Sequence, residues 1–160
     1  QGIVYARLNI FRDFTYIGDE EKRKSVEREG LVTCGDIGYM NDEGYLFLVD
    51  RASDMIISGG VNIYPAEIEA ALIMHEGVRD CAVFGIPDAE MGERVAAIVE
   101  PRPGVQLDAE AITLFLRDRI AGYKVPRHIE FRDNLPREDS GKLFKRLLRD
   151  PFWADSGRSI

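Results

Sequence analysis

The sequence predicts an α+β fold, with small sheet layers flanked by helices and a β-rich segment in front of them. Three observations lead there. From residue 54 onward, alternating and helical apolar patterns follow one another as strand, helix, strand, strand, helix, strand, helix. Up to about residue 50 the chain reads as strands with one polar helix, too little apolar material to bury a core by itself. Hydrophobic residues make up 45% and charged residues 31% of the 160, a globular balance. No apolar run approaches the ~20 residues that cross a bilayer.

The elements follow in order. Residues 3–10 (IVYARLNI) read as a strand, and 19–29 (DEEKRKSVERE) as a charged surface helix stopped by Gly30. Residues 40–50 (MNDEGYLFLVD) predict a hairpin, with Asn41 to Gly44 as the turn and Tyr45 to Val49 as the outgoing strand. Residues 54–58 (DMIIS) give a short strand ending at Gly59-Gly60. Pro65 suits a first helical turn, Glu67 and Glu69 suit its dipole, and Ile68, Ala71 and Leu72 share a face before Gly77. Two apolar strands follow, DCAVFGI and RVAAIVE, joined by PDAEMGE. Asp108 caps a helix whose Ile112, Phe115, Leu116 and Ile120 form a buried stripe, and Gly122 stops it. HIEFRD alternates like a half-buried strand. The turn LPREDSG then leads into a last short helix, KLFKRLLR.

A net charge of −7 argues against general nucleic-acid binding, which needs a basic surface. From Arg117 to Arg149, however, ten Lys and Arg stand against five Asp and Glu. A basic end on an acidic chain suits a small polyanion such as a nucleotide, and equally suits solvated helix faces. Cys34 and Cys81 form neither a disulfide framework nor a CxxC pair, and are both expected to be reduced, partly buried thiols in a cytoplasmic protein. His75 and His128 stand alone, so no metal site is expected within this chain. The start, QGIVYARLNIF, does not read as a secretory signal, lacking a basic region followed by an apolar stretch. Gln1 in place of an initiator Met reads as the boundary of a piece of a longer chain.

Two phosphate motifs are excluded by spacing. DSGKL contains Gly-Lys, but a Walker loop needs Gly where Pro136 stands and Ser or Thr where Leu143 stands. GIPDAEMG lacks the glycine spacing of a dinucleotide fingerprint. Four segments remain in a set order: TCGDIGY (33–39), DRASDMIISGGVNIYPAEIE (50–69), GYKVPR (122–127) and LPREDSGKLFKR (135–146). Together they resemble the acyl-activating superfamily of acyl- and aryl-CoA synthetases, peptide-synthetase adenylation domains and luciferases. The likeness runs from Gly2 to the last helix.

The resemblance implies a division at Ser53, with residues 1–53 ending a large N-terminal adenylation domain and 54–160 forming a mobile C-terminal α+β domain. It implies that Asp36 accepts hydrogen bonds from the ribose hydroxyls of ATP, a task suited to two oxygens on one short side chain. Taken alone, Asp36 reads as the cap of a Gly-flanked turn. Arg51 is implied to contact ribose or phosphate, where its planar fork suits oxygen-rich ligands; alone it reads as a surface ion pair. Ser53 falls at the family's hinge, where many relatives carry Asp or Lys. Gly59 and Gly60 are implied to face the pantetheine arm of CoA, and alone form a simple turn. Lys124 and Arg127 are candidates for CoA phosphates. Lys142 completes the family pattern P-x-x-x-x-G-K begun at Pro136, and is implied to be catalytic, its ammonium bridging the substrate carboxylate and the α-phosphate. Taken alone it is a solvated lysine starting a helix.

The implied reaction joins a carboxylic acid to ATP, with Mg2+ held by the preceding domain, giving acyl-AMP and then a thioester with CoA. The loop GGVNIYPAEIE resembles the CoA-ligase version more than the carrier-protein version. Two alternatives stand beside it: an adenylating enzyme that delivers to a carrier protein or another acceptor, and a non-catalytic α+β binding module in which Lys142 and Asp36 are dispensable.

Overall fold

A computed structural model describes residues 1–7 and 14–154. The chain divides into two compact units, Gln1–Ser53 and Asp54–Ile160. The first runs β1 (Gly2–Ile3), α1 (Glu20–Ser25), β2 (Glu27–Arg28), β3 (Leu31–Val32), β4 (Asp36–Met40) and β5 (Leu46–Arg51). Strands β1, β4 and β5 pair antiparallel in that order. The hairpin turn forms as expected: the Tyr45 N–H donates to the Asn41 side chain, and Gly44 takes a φ of +86°. Two expectations are corrected. The strand over 3–10 pairs only at Gly2–Ile3, with Ala6 bridging Val32, while residues 8–10 lie outside the described residues. The helix over 19–29 ends at Ser25. Glu29 and Gly30 take φ values of +55° and +74°, the paired left-handed residues that a tight antiparallel turn needs, so Glu27–Arg28 fold back on Leu31–Val32.

The second unit runs β6 (Ile56–Ser58), β7 (Val61–Ile63), α2 (Pro65–Ile73), β8 (Val78–Asp88), β9 (Gly92–Pro101), α3 (Ala109–Arg117), a 3-10 turn at Gly122–Lys124, β10 (His128–Phe131) and α4 (Lys145–Trp153). Strand β7 was not expected. The Gly59-Gly60 pair turns the chain back on itself, so the residues after it pair with β6. The long β8–β9 ladder organises the rest. Cys81, Val83, Val95, Ala97 and Val99 face α2 and α3, packing with Ile68, Leu72, Ile112 and Leu116. The alternate residues Ala82, Phe84, Ile86, Ala96 and Ile98 face α4, with Leu135 and Leu148. Both faces are covered, which is why these strands read as continuous apolar runs rather than alternating ones. Crossover through α3 brings β10 back parallel to β9.

Polar side chains and local pairing set the limits of these elements. Asp108 caps α3 as expected, accepting the Ala111 N–H at 2.8 Å. The outer edge of β8 is blunted by Glu69, whose carboxylate accepts the Val83 N–H at 2.7 Å. The last helix begins at Lys145 rather than Lys142, because residues 142–144 first pair back on 136–138.

Cys81 is buried beneath Glu69, donating to its carbonyl at 3.7 Å, whereas Cys34 is exposed. Burial, reinforced by the Glu69 and Asp80 carboxylates, pushes the Cys81 thiol up from 9.0 to about 12. In the native chain at pH 8, iodoacetamide should therefore label Cys34 and spare Cys81, with both labelled after denaturation, as read by peptide mass spectrometry. The folded thiol keeps its proton where the unfolded one loses it. Stability should thus fall as pH rises from 9.0 towards about 12, and Cys81→Ser should flatten that slope in urea titrations.

Candidate active site

Lys142 lies on the return arm of a small hairpin over residues 135–144. Within it the Glu138 N–H donates to the Lys142 carbonyl and the Phe144 N–H to the Pro136 carbonyl, both at 2.8 Å. Gly141 makes the turn with a φ of +83°. Three carboxylates grip this segment from α2, β8 and β9. Glu100, only 6% exposed, accepts the Leu135 N–H at 3.1 Å and pairs through its other oxygen with Arg79 at 3.0 Å. Asp80 pairs with Arg137, whose other nitrogen donates to the Gly141 carbonyl at 2.6 Å. Glu69 pairs with Lys145 at 2.7 Å. Of the basic residues from Arg132 to Arg149, Lys142 alone has no ion-pair partner among the described residues. An exposed cation on a stiff support, with no carboxylate of its own, is open to an external anion.

Gly59 and Gly60 join β6 to β7 with φ values of +56° and +79°. A two-residue turn of this kind needs positive φ at both positions. A Cβ at Gly59 would also come 2.9 Å from the Met91 sulfur, so that flexible side chain would have to shift. Its N–H donates to the Met91 carbonyl at 2.9 Å. Met91 is held in turn by Asp88, which accepts the Met91 and Glu90 N–H groups; these bonds keep the Asp88 carboxyl below its usual range. Beside the turn is a pocket of about 210 Å³, walled by Val61, Ile63, Val95 and Val125, with Tyr123 and Arg127 also lining it. The structure thus brings Gly59 and Arg127 together. Gly60 and Lys124 are not among the lining residues, and the Lys124 ammonium is held by both Glu67 oxygens at 2.6 and 2.7 Å.

In the first unit, Asp36 and Arg51 face each other across β4 and β5, with Arg51 Nε 3.3 Å from Asp36 Oδ1. Arg51 also donates to the Cys34 carbonyl at 3.4 Å. Gly35, with a φ of +82°, donates to the Thr33 hydroxyl and shapes the turn before Asp36. Ser53 is the last residue of this unit. Among the described residues no group of three or more His, Cys, Asp or Glu is arranged to hold a metal ion.

The hairpin and the Gly59 turn are anchored at opposite ends of the β8–β9 ladder. Asp80 and Glu100 are opposite each other near one end, whereas Asp88 and Gly92 are opposite each other at the other, next to Met91 in the connecting turn. From Gly92 to Glu100 along one strand is roughly 25 Å at the usual rise per residue. Sequence reasoning missed the anchors Glu69, Asp80 and Glu100, and the pocket residues Met91 and Tyr123. One signal was present: Glu100 shares the inward parity of Ala96 and Ile98, and a carboxylate at a core position demands a partner.

Residues 67–142 match the model of the AMP-binding enzyme C-terminal domain. The feruloyl-CoA synthase of Amycolatopsis sp. is 46% identical over 150 residues, covering 94% of this chain and 30% of that protein. ATP-bound MatB from Rhodopseudomonas palustris matches 90% of this chain and 29% of its own, with 35% identity and a TM-score of 0.80. The o-succinylbenzoate CoA synthetase from Bacillus subtilis, in complex with the acyl-adenylate intermediate, matches 85% of this chain and 28% of its own, with 37% identity and a TM-score of 0.78. The chain spans 26% to 30% of the length of the first curated relatives it matches. The α+β class expected from the sequence is the class observed. The match to the AMP-binding domain ends on Lys142 itself. No described helix is long and apolar enough to cross a membrane.

The hairpin over residues 135–144 depends on Gly141 for its turn. A Cβ there meets open space, so the cost of adding one is backbone strain alone. Gly141→Ala should lower stability by about 1–2 kcal/mol. Gly122→Ala, equally open but without positive φ, should change it little. Equal urea midpoints for the two variants would contradict the turn assignment.

Proposed function

We propose that this chain is the C-terminal part of an AMP-forming acid–CoA ligase, in which Lys142 serves the first half-reaction and the Gly59 turn serves the second. In the first, a carboxylate oxygen attacks the α-phosphorus of ATP, forming a C(=O)–O–P bond and releasing pyrophosphate. Both reactants are anions, and their approach is costly in a site that excludes water. One fixed ammonium between them offsets that repulsion and stabilises the charge of the in-line transition state. Asp36 holds the ribose hydroxyls, and Arg51 braces its carboxylate across the strand pair. In the second half-reaction the CoA sulfur attacks the acyl carbon and AMP leaves. The bare backbone at Gly59 lets the thiol arm approach closely, with Arg127 available to a CoA phosphate. Lys124, already held by Glu67, reaches a phosphate only by giving up that pair. The magnesium ion that accompanies ATP is assigned to the preceding domain.

The observation that carries this reading is the separation of the two features. Groups anchored roughly 25 Å apart on one rigid ladder cannot serve one reaction centre together. They suit two successive steps, with the small domain turning about the Ser53 region between them. CoA is favoured over a carrier protein as acceptor by the double-glycine loop and by the names of the feruloyl-CoA synthase and the o-succinylbenzoate CoA synthetase, although a fatty acid–acyl-carrier-protein ligase from Streptomyces coeruleorubidus is 42% identical over 145 residues.

In the intact protein, Lys142→Ala should slow ATP–pyrophosphate exchange by roughly a hundredfold or more, the scale of losing one preorganised donor. It should spare thioester formation from supplied acyl-AMP. Equal losses in both half-reactions would sink the division of labour. Holo-carrier protein outperforming CoA as acceptor would reassign the second step. Residues 1–160 alone should release no pyrophosphate from ATP and a panel of carboxylic acids, because the phosphate loop and acid pocket are assigned to the preceding domain.

A further inference from the structure

We propose that Asp80 and Glu100 are positioning residues for Lys142, and that adenylation depends on them although neither touches a reactant. The role rests on the adenylation reading of Lys142. Neither residue falls in the four motif segments, and both are distant in sequence from the hairpin they hold.

The geometry begins with an irregularity. The β8–β9 register shifts between Val78 and Asp80. A bulge of this kind re-aims side chains that regular pleating would send to opposite faces. Here the two consecutive residues after Val78 serve neighbouring parts of one network. Arg79 pairs with Glu100, and Asp80 pairs with Arg137. Glu100 occupies a position where Ala96 and Ile98 are apolar and buried, which is a costly place for a carboxylate unless its oxygens are bonded. One oxygen meets Arg79, and the other accepts the Leu135 N–H at the hairpin's entry. An apolar residue at 100 leaves that N–H without its partner.

The second clamp acts nearer the lysine. Asp80 orients the Arg137 guanidinium, whose other nitrogen donates to the Gly141 carbonyl, one peptide unit before Lys142. The two clamps therefore hold the entry and the turn of the hairpin, and Glu69 with Lys145 holds its exit. This arrangement stiffens the backbone under Lys142 while placing no negative charge on its ammonium. Loosening either clamp lets the lysine drift. A displacement near 1 Å costs roughly ten- to hundredfold in a step that needs it, and nothing in a step that does not.

The test uses the intact protein and measures two half-reactions: ATP–pyrophosphate exchange with the acid substrate, and thioester formation from supplied acyl-AMP and CoA. Glu100→Leu and Asp80→Ala should slow exchange by roughly ten- to hundredfold, in kcat rather than in KM for ATP. Thioester formation should stay within about threefold of the parent. Glu100→Gln keeps an acceptor for the Leu135 N–H, and Asp80→Asn keeps one for Arg137, so both should recover most of the exchange rate. A merely structural role lowers both half-reactions together; that result, or unchanged exchange, overturns the proposal. If Glu100→Leu does not fold, Asp80→Ala, at the more exposed end of the network, carries the test. Lys142→Ala run alongside separates the two ideas: if it leaves exchange intact, the reading of the lysine itself falls, whereas loss with Lys142→Ala alone condemns only the positioning role.

Discussion

The structure depends on one antiparallel pair, β8 with β9, that is covered on both faces. Alternate residues of these strands enter two separate cores, one beneath α2 and α3 and one beneath α4. No position along the middle of either strand is free to be polar, which accounts for the uninterrupted apolar runs. The pair is also the ruler of the domain. One of its ends carries the acids that hold the Lys142 hairpin, and the other meets the Gly59 turn through Met91 and Gly92. A ladder this thoroughly packed does not bend to bring its ends together. In the proposed function the two features therefore act in turn.

The electrostatics of the hairpin follow from the same frame. Acids borne by the packed elements reach the 135–145 segment, and each takes a different basic or N–H group from it. Within residues 135–145, pairing engages Arg137 and Lys145, and among the described residues of that segment Lys142 alone is a basic residue whose backbone is held while its ammonium has no ion-pair partner. A free cation on a loose loop would pay side-chain and backbone entropy each time it met a substrate; here much of the backbone ordering is already done.

The first unit is built differently. Ile37 is its one buried large apolar side chain among the described residues, while Tyr39, Met40, Tyr45, Phe47 and Leu48 stay exposed on β4, β5 and the turn between them. Its order comes from backbone ladders, glycine turns and the Asp36–Arg51 pair rather than from a core of its own. That matches a chain spanning less than a third of the length of its relatives.

The sequence by itself determined what depends on neighbours a few residues away. The apolar stripe of α3 and its Asp108 cap, the Asn41–Gly44 turn and the P-x-x-x-x-G-K string ending at Lys142 were all legible, because turn preferences, capping and side-chain periodicity act over one or two turns of chain. Helix limits were less legible. Residues 27–28 and 142–144 have acceptable helical composition, and pairing with a nearby strand outweighed it. Only the tertiary structure decided which charges find partners. Lys124 meets Glu67 and Arg137 meets Asp80 across 57 residues in each case, and no local rule reaches that far. An ion pair forms where packing of the apolar faces happens to leave two ends adjacent, so the freedom of Lys142 and the engagement of Lys124 were settled by the folded core rather than by the residues around them.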